Sequence, residues 1–232
     1  MNRIFAALTV SLAISAMANA RTMTVKNNCD VTICIRVIPV SLMNDFSFIG
    51  NSTPDYATGF TVPDNWTSGR IWGRTDCDFD NNIDGATACV SDRYCYLLNC
   101  ANTLGAPTAT VAEWTLGGSA DWYDVSRLID GFSSPLEITN TANCDIASCP
   151  ADLNALTRLT GTKNSDPRSS SRLCTGSHNA AETYPSSGVA DYDYFKSNCP
   201  DTYAYAYDED SGTALFTCDS SNNADYTLTF CP

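Results

Sequence analysis

Short segments rich in Val, Ile, Thr and aromatic residues recur along the chain, and apolar and polar positions alternate within them with a period of two. In 31–38 the apolar side chains are Val31, Ile33, Ile35 and Val37, so we expect this face to lie against a core. Each segment ends at Gly, Asn, Asp or Pro, which are turn residues. The segments are 22–26, 31–38, 70–75, 111–116, 122–126, 136–141, 214–218 and 226–230. The pattern predicts an antiparallel β-sandwich or barrel.

The apolar alternation stops at about Cys144, and loop residues dominate from there to Cys199, above all in 164–176. Two short helices are predicted inside this stretch, over 151–159 and 191–197. We therefore predict a β core that is interrupted by a loop-and-helix subdomain. The boundaries are 21–143 and 200–232 for the core and 144–199 for the subdomain.

The first 20 residues have the three parts of a secretory signal peptide. Arg3 precedes an apolar run from Ile4 to about Met17, and Ala18-Asn19-Ala20 provides a small-x-small cleavage site. This run is shorter than the ~20 residues that a membrane-spanning helix needs, and no second run follows it. We therefore expect 1–20 to be removed, and the protein to be secreted and to have no transmembrane segment.

The chain contains 12 Cys and a single His. In a secreted protein an even number of cysteines predicts a framework of disulfides. Zinc is the alternative, because the spacing within Cys95-x4-Cys100 and Cys144-x4-Cys149 is at the loose edge of ligand spacing, but no His accompanies these cysteines. His178 alone is a poor basis for Ser-His-Asp chemistry or a multi-His metal site. We expect disulfides, no cofactor and no resident metal.

The charge balance is strongly acidic, with 13 Lys plus Arg against 26 Asp plus Glu and a formal net charge of −13. Nucleic acid is excluded as a partner, because binding it requires a basic surface that displaces counterions. Anionic membrane surfaces are disfavoured for the same reason. The acidic run from Asp76 to Asp84 suggests calcium, but it lacks the closing Glu of an EF-hand, so a solvated turn is the better interpretation.

Six segments, in order, resemble the thaumatin-like protein family, and Asn27–Cys29 (NNC) matches the family's first cysteine. The segments are RIWGRTDCDFD (70–80), TVAEWTL (110–116), DWYDVSRLIDGFSSPLEI (121–138), CPADLN (149–154), CPDTYAYAYDED (199–210) and FTC with YTLTFCP (216–218 and 226–232). Residues 39–68 and 163–187 match poorly. The resemblance implies a mainly β fold, a flattened β-sandwich of about eleven strands. It also implies a disulfide-stapled second domain of loops and short helices, with an acidic cleft between the two.

The resemblance also implies how ten of the cysteines pair. The implied bonds are Cys29–Cys231, Cys77–Cys89, Cys95–Cys100, Cys144–Cys218 and Cys149–Cys199. Family members usually carry more cysteines in the second domain, where this chain has only Cys174 between Cys149 and Cys199. Cys34 and Cys174 have no family counterpart, and we expect them to bond to each other.

In the family an acidic cleft contains one Glu, three Asp and a nearby Arg. The matching positions are Glu113, Asp124, Asp130, Asp208 and Arg74. The last two have close competitors, because Asp201, Glu209 and Asp210 share the motif of Asp208 and Arg70 precedes Arg74. The spacing from Asp124 to Asp130 is one residue longer than the family's, so Arg127 resembles an insertion that can displace one carboxylate from the cleft.

Cleavage of a glycosidic bond requires a carboxylic acid that protonates the leaving oxygen and a carboxylate that activates water or attacks the sugar. We expect Glu113 to be the acid and Asp130 the base or nucleophile. Arg74, Asp124 and Asp208 are then binding residues. Several aromatic residues could stack on sugar rings: Trp66, Trp72, Trp114, Trp122, Tyr203, Tyr205 and Tyr207. Of these, Trp72 and Trp114 are expected to pack in the core, and Tyr205 and Tyr207 stay candidates for binding.

Three functions compete. The first is a secreted, monomeric protein whose acidic cleft binds β-1,3-glucan or another cell-wall polysaccharide, with weak hydrolysis or none. The second is a genuine endo-β-1,3-glucanase, and the third is a non-enzymatic antifungal, defence or protein-interaction role. The sequence favours carbohydrate binding, because a cleft rich in hydrogen-bond acceptors suits sugars. The residue inserted before Asp130 argues against efficient hydrolysis.

Overall fold

Eleven β-strands lie within the part of the chain that the computed structural model describes, residues 20–38, 48–74, 109–129, 134–153, 192–205 and 207–232. They are β1 (Ala20–Asn27), β2 (Ile33–Ile38), β3 (Phe48–Ser52), β4 (Tyr56–Pro63), β5 (Gly69–Arg74), β6 (Ala109–Thr115), β7 (Ala120–Ile129), β8 (Leu136–Asn140), β9 (Ala147–Cys149), β10 (Phe216–Asp219) and β11 (Tyr226–Phe230). The helix α1 spans Tyr192–Asn198, close to the predicted 191–197. Two 3-10 turns span Asp208–Ser211 and Ser220–Asn222.

The strands form two sheets that pack face to face, which confirms the predicted β-sandwich. The order is β4-β1-β11-β8-β9 in the five-stranded sheet and β10-β7-β6-β5-β2-β3 in the six-stranded sheet. All neighbouring strands run antiparallel except β1 and β11, which are parallel from Met23 beside Tyr226 to Asn27 beside Phe230. The first and last strands are therefore adjacent in the middle of one sheet.

Side chains from the inner faces of both sheets form the core. On β2, Ile33, Ile35 and Val37 are at most 1% exposed, which confirms the predicted inward face, whereas Val31 precedes the strand and is 44% exposed. The rings of Trp66 and Trp114 stack with their centroids 6.2 Å apart, and both residues are buried. Trp114 is therefore a core residue, as predicted from its position in an alternating strand.

A buried ion pair connects the two sheets. Arg21 Nη1 on β1 lies 3.0 Å from Asp121 Oδ2 on β7, and both side chains are at most 3% exposed. The Asp121 carboxylate also accepts hydrogen bonds from the Tyr226 hydroxyl, the Ser220 hydroxyl and the backbone N–H of Gly117. A buried charge of this kind is tolerated because it is paired and its other acceptor positions are filled.

Three disulfides join described cysteines: Cys29–Cys231, Cys144–Cys218 and Cys149–Cys199. These are three of the five pairs that the family resemblance implies. The partners in the other two pairs lie outside the described residues, as does Cys174, and Cys34 is buried on β2. The bond between Cys29 and Cys231 spans a separation of 202 residues, for which the chain-entropy model gives about 5 kcal/mol of stabilisation.

The predicted subdomain over 144–199 is described only at its two ends. At its start β9 pairs with β8 and extends the five-stranded sheet. At its end α1 buries Phe195 against the core, and Cys199 is tied back to Cys149. Most of the predicted helix over 151–159 falls outside the described residues. The helical segments of the described ranges are too short to cross a membrane.

Candidate functional site

A cleft of about 470 Å³ opens on the outer face of the six-stranded sheet, the face opposite the core. Its lining includes four charged residues, a tyrosine and an exposed tryptophan: Arg70, Glu113, Asp124, Glu209, Tyr203 and Trp122. Three strands and the chain segment after α1 contribute these side chains. The cleft therefore depends on the sheet register and on the turn that carries Glu209.

Three of the polar residues form a row across neighbouring strands. Arg70 on β5 lies opposite Glu113 on β6, and Glu113 lies opposite Asp124 on β7. Their neighbours Trp114 and Tyr123 face inward and are buried, so alternation along each strand directs the polar row outward. Arg70 Nε donates a hydrogen bond to Glu113 Oε1 at 2.5 Å. The guanidinium thus fixes the orientation of the Glu113 carboxylate.

Asp124 is the carboxyl group most withdrawn from water in this row. Its Oδ1 is buried and has no hydrogen-bond partner among the described residues. Burial raises the pKa of Asp124 well above its ordinary value, and the nearby charges of Glu113 and Glu209 raise this pKa further, against an opposing effect of Arg70. Asp124 is therefore the group in the cleft that keeps a proton at a pH where an exposed Asp has lost it.

Tyr203 and Glu209 complete the polar lining on the other side of Asp124. The backbone N–H of Tyr203 donates to the carbonyl of Val125 on β7, which holds the segment after α1 against the sheet. The Tyr203 hydroxyl donates to Glu209 Oε1 at 3.0 Å. Burial, the charge of Asp124 and the bond to Glu209 raise the pKa of Tyr203 above its ordinary value. The phenol accordingly stays a hydrogen-bond donor at neutral pH.

The structure places Asp208 away from the cleft lining, although the sequence makes it a candidate binding residue. Asp208 is 1% exposed and accepts hydrogen bonds from the Tyr192 hydroxyl and the backbone N–H of Ala204, each at 2.8 Å. Its Oδ2 lies 3.0 Å from Lys196 Nζ. These contacts fix the turn that begins at Asp208, and it is the next residue, Glu209, that reaches the cleft.

The other candidate binding residues, Arg74, Tyr205 and Tyr207, also lie outside the cleft lining. Arg74 is completely buried at the end of β5, whereas Arg70, its competitor in the sequence, lines the cleft. Tyr205 packs edge-on against Tyr192 with a centroid distance of 5.9 Å, and against Tyr207 with a distance of 6.4 Å. Neither Tyr205 nor Tyr207 is part of the described cleft lining. Their positions favour packing over contact with a ligand.

The pairing of β6 with β7 contains a β-bulge in the segment between Asp124 and Asp130, where the resemblance implies an extra residue. Val111 pairs with Ser126, but the next aligned pair is Ala109 with Ile129, so 127–128 lie opposite the single residue 110. The bulge follows Asp124 along β7, and Asp124 therefore keeps its position opposite Glu113. Asp130, the expected base or nucleophile, lies outside the described residues.

Trp122 is one of the aromatic residues that the sequence offers for stacking on sugar rings, and it lines the cleft. It is 46% exposed and lies two residues before Asp124 on the same face of β7. Alternation along the strand is the signal that places it there, because Tyr123 between the two is buried. No group of three or more His, Cys, Asp or Glu side chains within the described ranges is arranged to hold a metal ion.

Comparison with known proteins gives a consistent result. A family model described as the Thaumatin family matches residues 27–232. Pathogenesis-related thaumatin-like protein 3.5 of Cryptomeria japonica is 37% identical, over 94% of this chain and 92% of its own. A glucan endo-1,3-beta-glucosidase of Prunus avium is 33% identical over 100% of both chains. A thaumatin-like xylanase inhibitor of known structure shares the fold, with a TM-score of 0.50 at 18% identity over 90% of this chain and 99% of that one.

Proposed function

Because the chain belongs to the thaumatin family, we propose that it is a secreted defence protein whose cleft binds β-1,3-glucan or a related cell-wall polysaccharide, with weak hydrolysis at most. The observation that carries this proposal is the row of Arg70, Glu113 and Asp124 on the floor of an open cleft. The disulfides and the predicted signal peptide support secretion. The names of relatives include both pathogenesis-related proteins and a glucan endo-1,3-beta-glucosidase, so the cleft chemistry has to decide between them.

A neutral polysaccharide fits the charges of this cleft. Glu113 and Glu209 are hydrogen-bond acceptors, Arg70 is a donor, and Asp124 can donate the proton that its surroundings retain. Sugar hydroxyl groups can act as both donor and acceptor, so they can bond to every member of this set. An anionic polymer would be repelled by the excess of carboxylates and by the formal net charge of −13.

The alternative, a genuine endo-β-1,3-glucanase, is favoured by one observation, the environment of Asp124. A general acid must hold a proton near neutral pH, and Asp124 has a raised pKa and a buried Oδ1 without a partner. The sequence predicts Glu113 as the acid, but its Oε1 accepts a hydrogen bond from Arg70 Nε. In the enzymatic alternative we therefore assign proton donation to Asp124 and the carboxylate role to Glu113.

The same pairing bears on the stereochemistry of such a reaction. Residues directly opposite each other on antiparallel strands have Cβ atoms about 5 Å apart. Glu113 and Asp124 are such a pair. Retaining glycosidases hold their two carboxyl groups about 5 Å apart, whereas inverting enzymes leave a wider gap for water. This spacing is compatible with the retaining arrangement, which we propose for any hydrolysis by this pair. In the assignment made from the sequence, Asp130 would instead supply the base or nucleophile.

The experiment that tests the proposal combines binding to insoluble glucan with product release. Purified protein is pelleted with insoluble β-1,3-glucan, and reducing ends are measured with soluble β-1,3-glucan. Glu113→Gln and Asp124→Asn are compared with the wild type, and Asp30→Asn, a change of an exposed carboxylate outside the cleft lining, is the matched control. We expect the wild type and the control to pellet, and the two cleft variants to pellet less.

The outcomes separate the three functions. Pelleting without release of reducing ends supports a binding cleft. Release that is lost in Asp124→Asn but kept in Asp30→Asn supports the enzyme. A wild-type protein that stays in the supernatant with every glucan tested would contradict the proposal and leave the non-enzymatic defence or protein-interaction role.

A further inference from the structure

The four tryptophans of this chain differ sharply in exposure. Trp66, Trp72 and Trp114 are at most 3% exposed, whereas Trp122 is 46% exposed. A single exposed aromatic residue is common on protein surfaces and by itself indicates little. Trp122, however, lines the cleft that contains the carboxylates. Its apolar ring surface is therefore available to a ligand that occupies this cleft.

The sheet register surrounds Trp122 with hydroxyl groups. On β7 it lies opposite Thr115 of β6 on one side and opposite Thr217 of β10 on the other. Both threonines are exposed, and directly opposed residues project from the same face of a sheet. The result is a flat aromatic surface with a hydroxyl group on either side. This combination is complementary to a pyranose ring, which has an apolar C–H face and hydroxyl groups around its edge.

The same register sets the distance from Trp122 to the carboxylates. Trp122 and Asp124 are two residues apart on one strand, which corresponds to ~7 Å along the sheet. Both side chains belong to the outer face, because Tyr123 between them is buried. One oligosaccharide is long enough to contact both positions. A sugar ring on Trp122 would thus lie beside a ring that hydrogen-bonds to Glu113 and Asp124.

We propose that Trp122, flanked by Thr115 and Thr217, is a sugar-stacking subsite adjacent to the carboxylate row. This inference rests on the proposed function, since it names how the same cleft holds its polysaccharide. The tryptophan supplies apolar contact area at a small cost in side-chain entropy. The carboxylate row supplies the hydrogen bonds, so the two parts bind different rings of one chain.

The exposure pattern provides a direct measurement. Only Trp122 is open to a soluble quencher, since the other three tryptophans are buried. A titration with laminaripentaose, followed by tryptophan emission and acrylamide quenching, should shift the emission to shorter wavelength and reduce the quenching. Trp122→Ala should abolish both responses and weaken binding about tenfold or more, a loss in the range of aromatic contacts in binding sites. Trp122→Phe should retain part of the affinity.

The matched control is Tyr56→Ala, which removes another exposed aromatic side chain, on β4 of the other sheet. Affinity for the oligosaccharide should be unchanged in this variant. Because Trp122 is exposed, Trp122→Ala should also keep the circular dichroism spectrum and the melting temperature of the wild type.

If Trp122→Ala bound the oligosaccharide as tightly as the wild type, and wild-type emission did not respond, the subsite would be wrong while the proposed function stood. If the wild type bound neither the oligosaccharide nor insoluble glucan, both proposals would fall.

Discussion

Glu113 and Asp124 face each other across β6 and β7, and the residues next to them, Trp114 and Tyr123, face each other on the opposite side of the same sheet. One strand register therefore builds both the polar row of the cleft and part of the aromatic core. A slip of one residue would exchange the two faces, which would bury the carboxylates and expose the rings. The free energy of burying Trp114 and Tyr123 thus holds the carboxylates in the cleft.

Asp124→Asn is expected to stabilise the protein relative to the wild type at neutral pH, but not at acidic pH. The folded protein holds the Asp124 proton more tightly than the unfolded chain does, because the pKa is raised above 3.8 on folding. Wild-type stability therefore falls as pH rises from about 4 toward the raised pKa, by up to about 1.4 kcal/mol per pH unit. The amide does not titrate and escapes this loss.

Urea unfolding at pH 3 and pH 7 measures this effect. The gain from Asp124→Asn should be near zero at pH 3 and should grow as the pH rises to 7, because only the wild-type side chain has to release its proton in a buried site. Asp30→Asn, a change at an exposed site, should give almost no difference at either pH. A variant equally destabilised at both values would show that Asp124 is not the titrating group we describe.

Gly69→Ala is expected to damage the fold at the entrance of the cleft. A Cβ atom at Gly69 would lie 2.6 Å from the ring of Trp66, which is completely buried and cannot move away easily. Overpacking of this kind costs about 1 to 3 kcal/mol. Thermal unfolding should show a lower melting temperature, and glucan binding should weaken because Arg70 is the next residue.

The control for this change is Gly59→Ala, also within a strand. The nearest atom to its Cβ would be 3.7 Å away, which is an ordinary van der Waals contact. Gly59 lies on β4 in the five-stranded sheet, away from the cleft lining. Equal melting temperatures for the two variants would mean that contact with Trp66 does not decide the outcome.

Arg21→Met is expected to be among the most destabilising single changes in this protein. It would leave the Asp121 carboxylate buried without its cation, and breaking a buried ion pair from one side typically costs about 3 to 5 kcal/mol. Lys26→Met, at an exposed position on the same strand, should cost little. In denaturant unfolding, Asp121→Asn added to Arg21→Met should recover part of the loss. A fully additive double variant would contradict the coupling.

Tyr203→Phe and Tyr192→Phe each remove a hydroxyl group that donates to a carboxylate. We expect the first change to weaken glucan binding and the second to lower stability. The Tyr203 hydroxyl donates to Glu209, which is exposed and can turn to water, so stability should change by less than about 1 kcal/mol while glucan binding weakens several-fold. The Tyr192 hydroxyl donates to the buried Asp208, so its loss should cost about 1 to 3 kcal/mol and leave binding unchanged. Melting curves and glucan pelleting of both variants check this contrast.

The sequence predicts the strands and the outward direction of their polar residues, because alternation is a local signal. It identifies Glu113 and Asp124 by their motifs, and both line the cleft. It does not decide between Arg70 and Arg74, which lie on the same face of β5, because only the pairing with β6 places Arg70 opposite Glu113.

The sequence also does not show which of Asp208 and Glu209 lines the cleft, but for a different reason. The two are adjacent in a 3-10 turn, where no period of two separates inward from outward positions. The tertiary contacts of Asp208 with Lys196 and Tyr192 make it the structural residue. Similarly, the sequence shows the spacing from Asp124 to Asp130, but the bulge that follows Asp124 depends on the register with β6.

The disulfide between Cys29 and Cys231 makes almost the whole folded chain a covalent ring, with β1 and β11 side by side at its closure. A protease that cuts one peptide bond anywhere between these cysteines would leave the two pieces joined by this disulfide and release no fragment. The nicked protein would keep its mass on a non-reducing gel and separate into two pieces only after the disulfides are reduced. The protein thus tolerates a first cut that would divide an uncrosslinked chain.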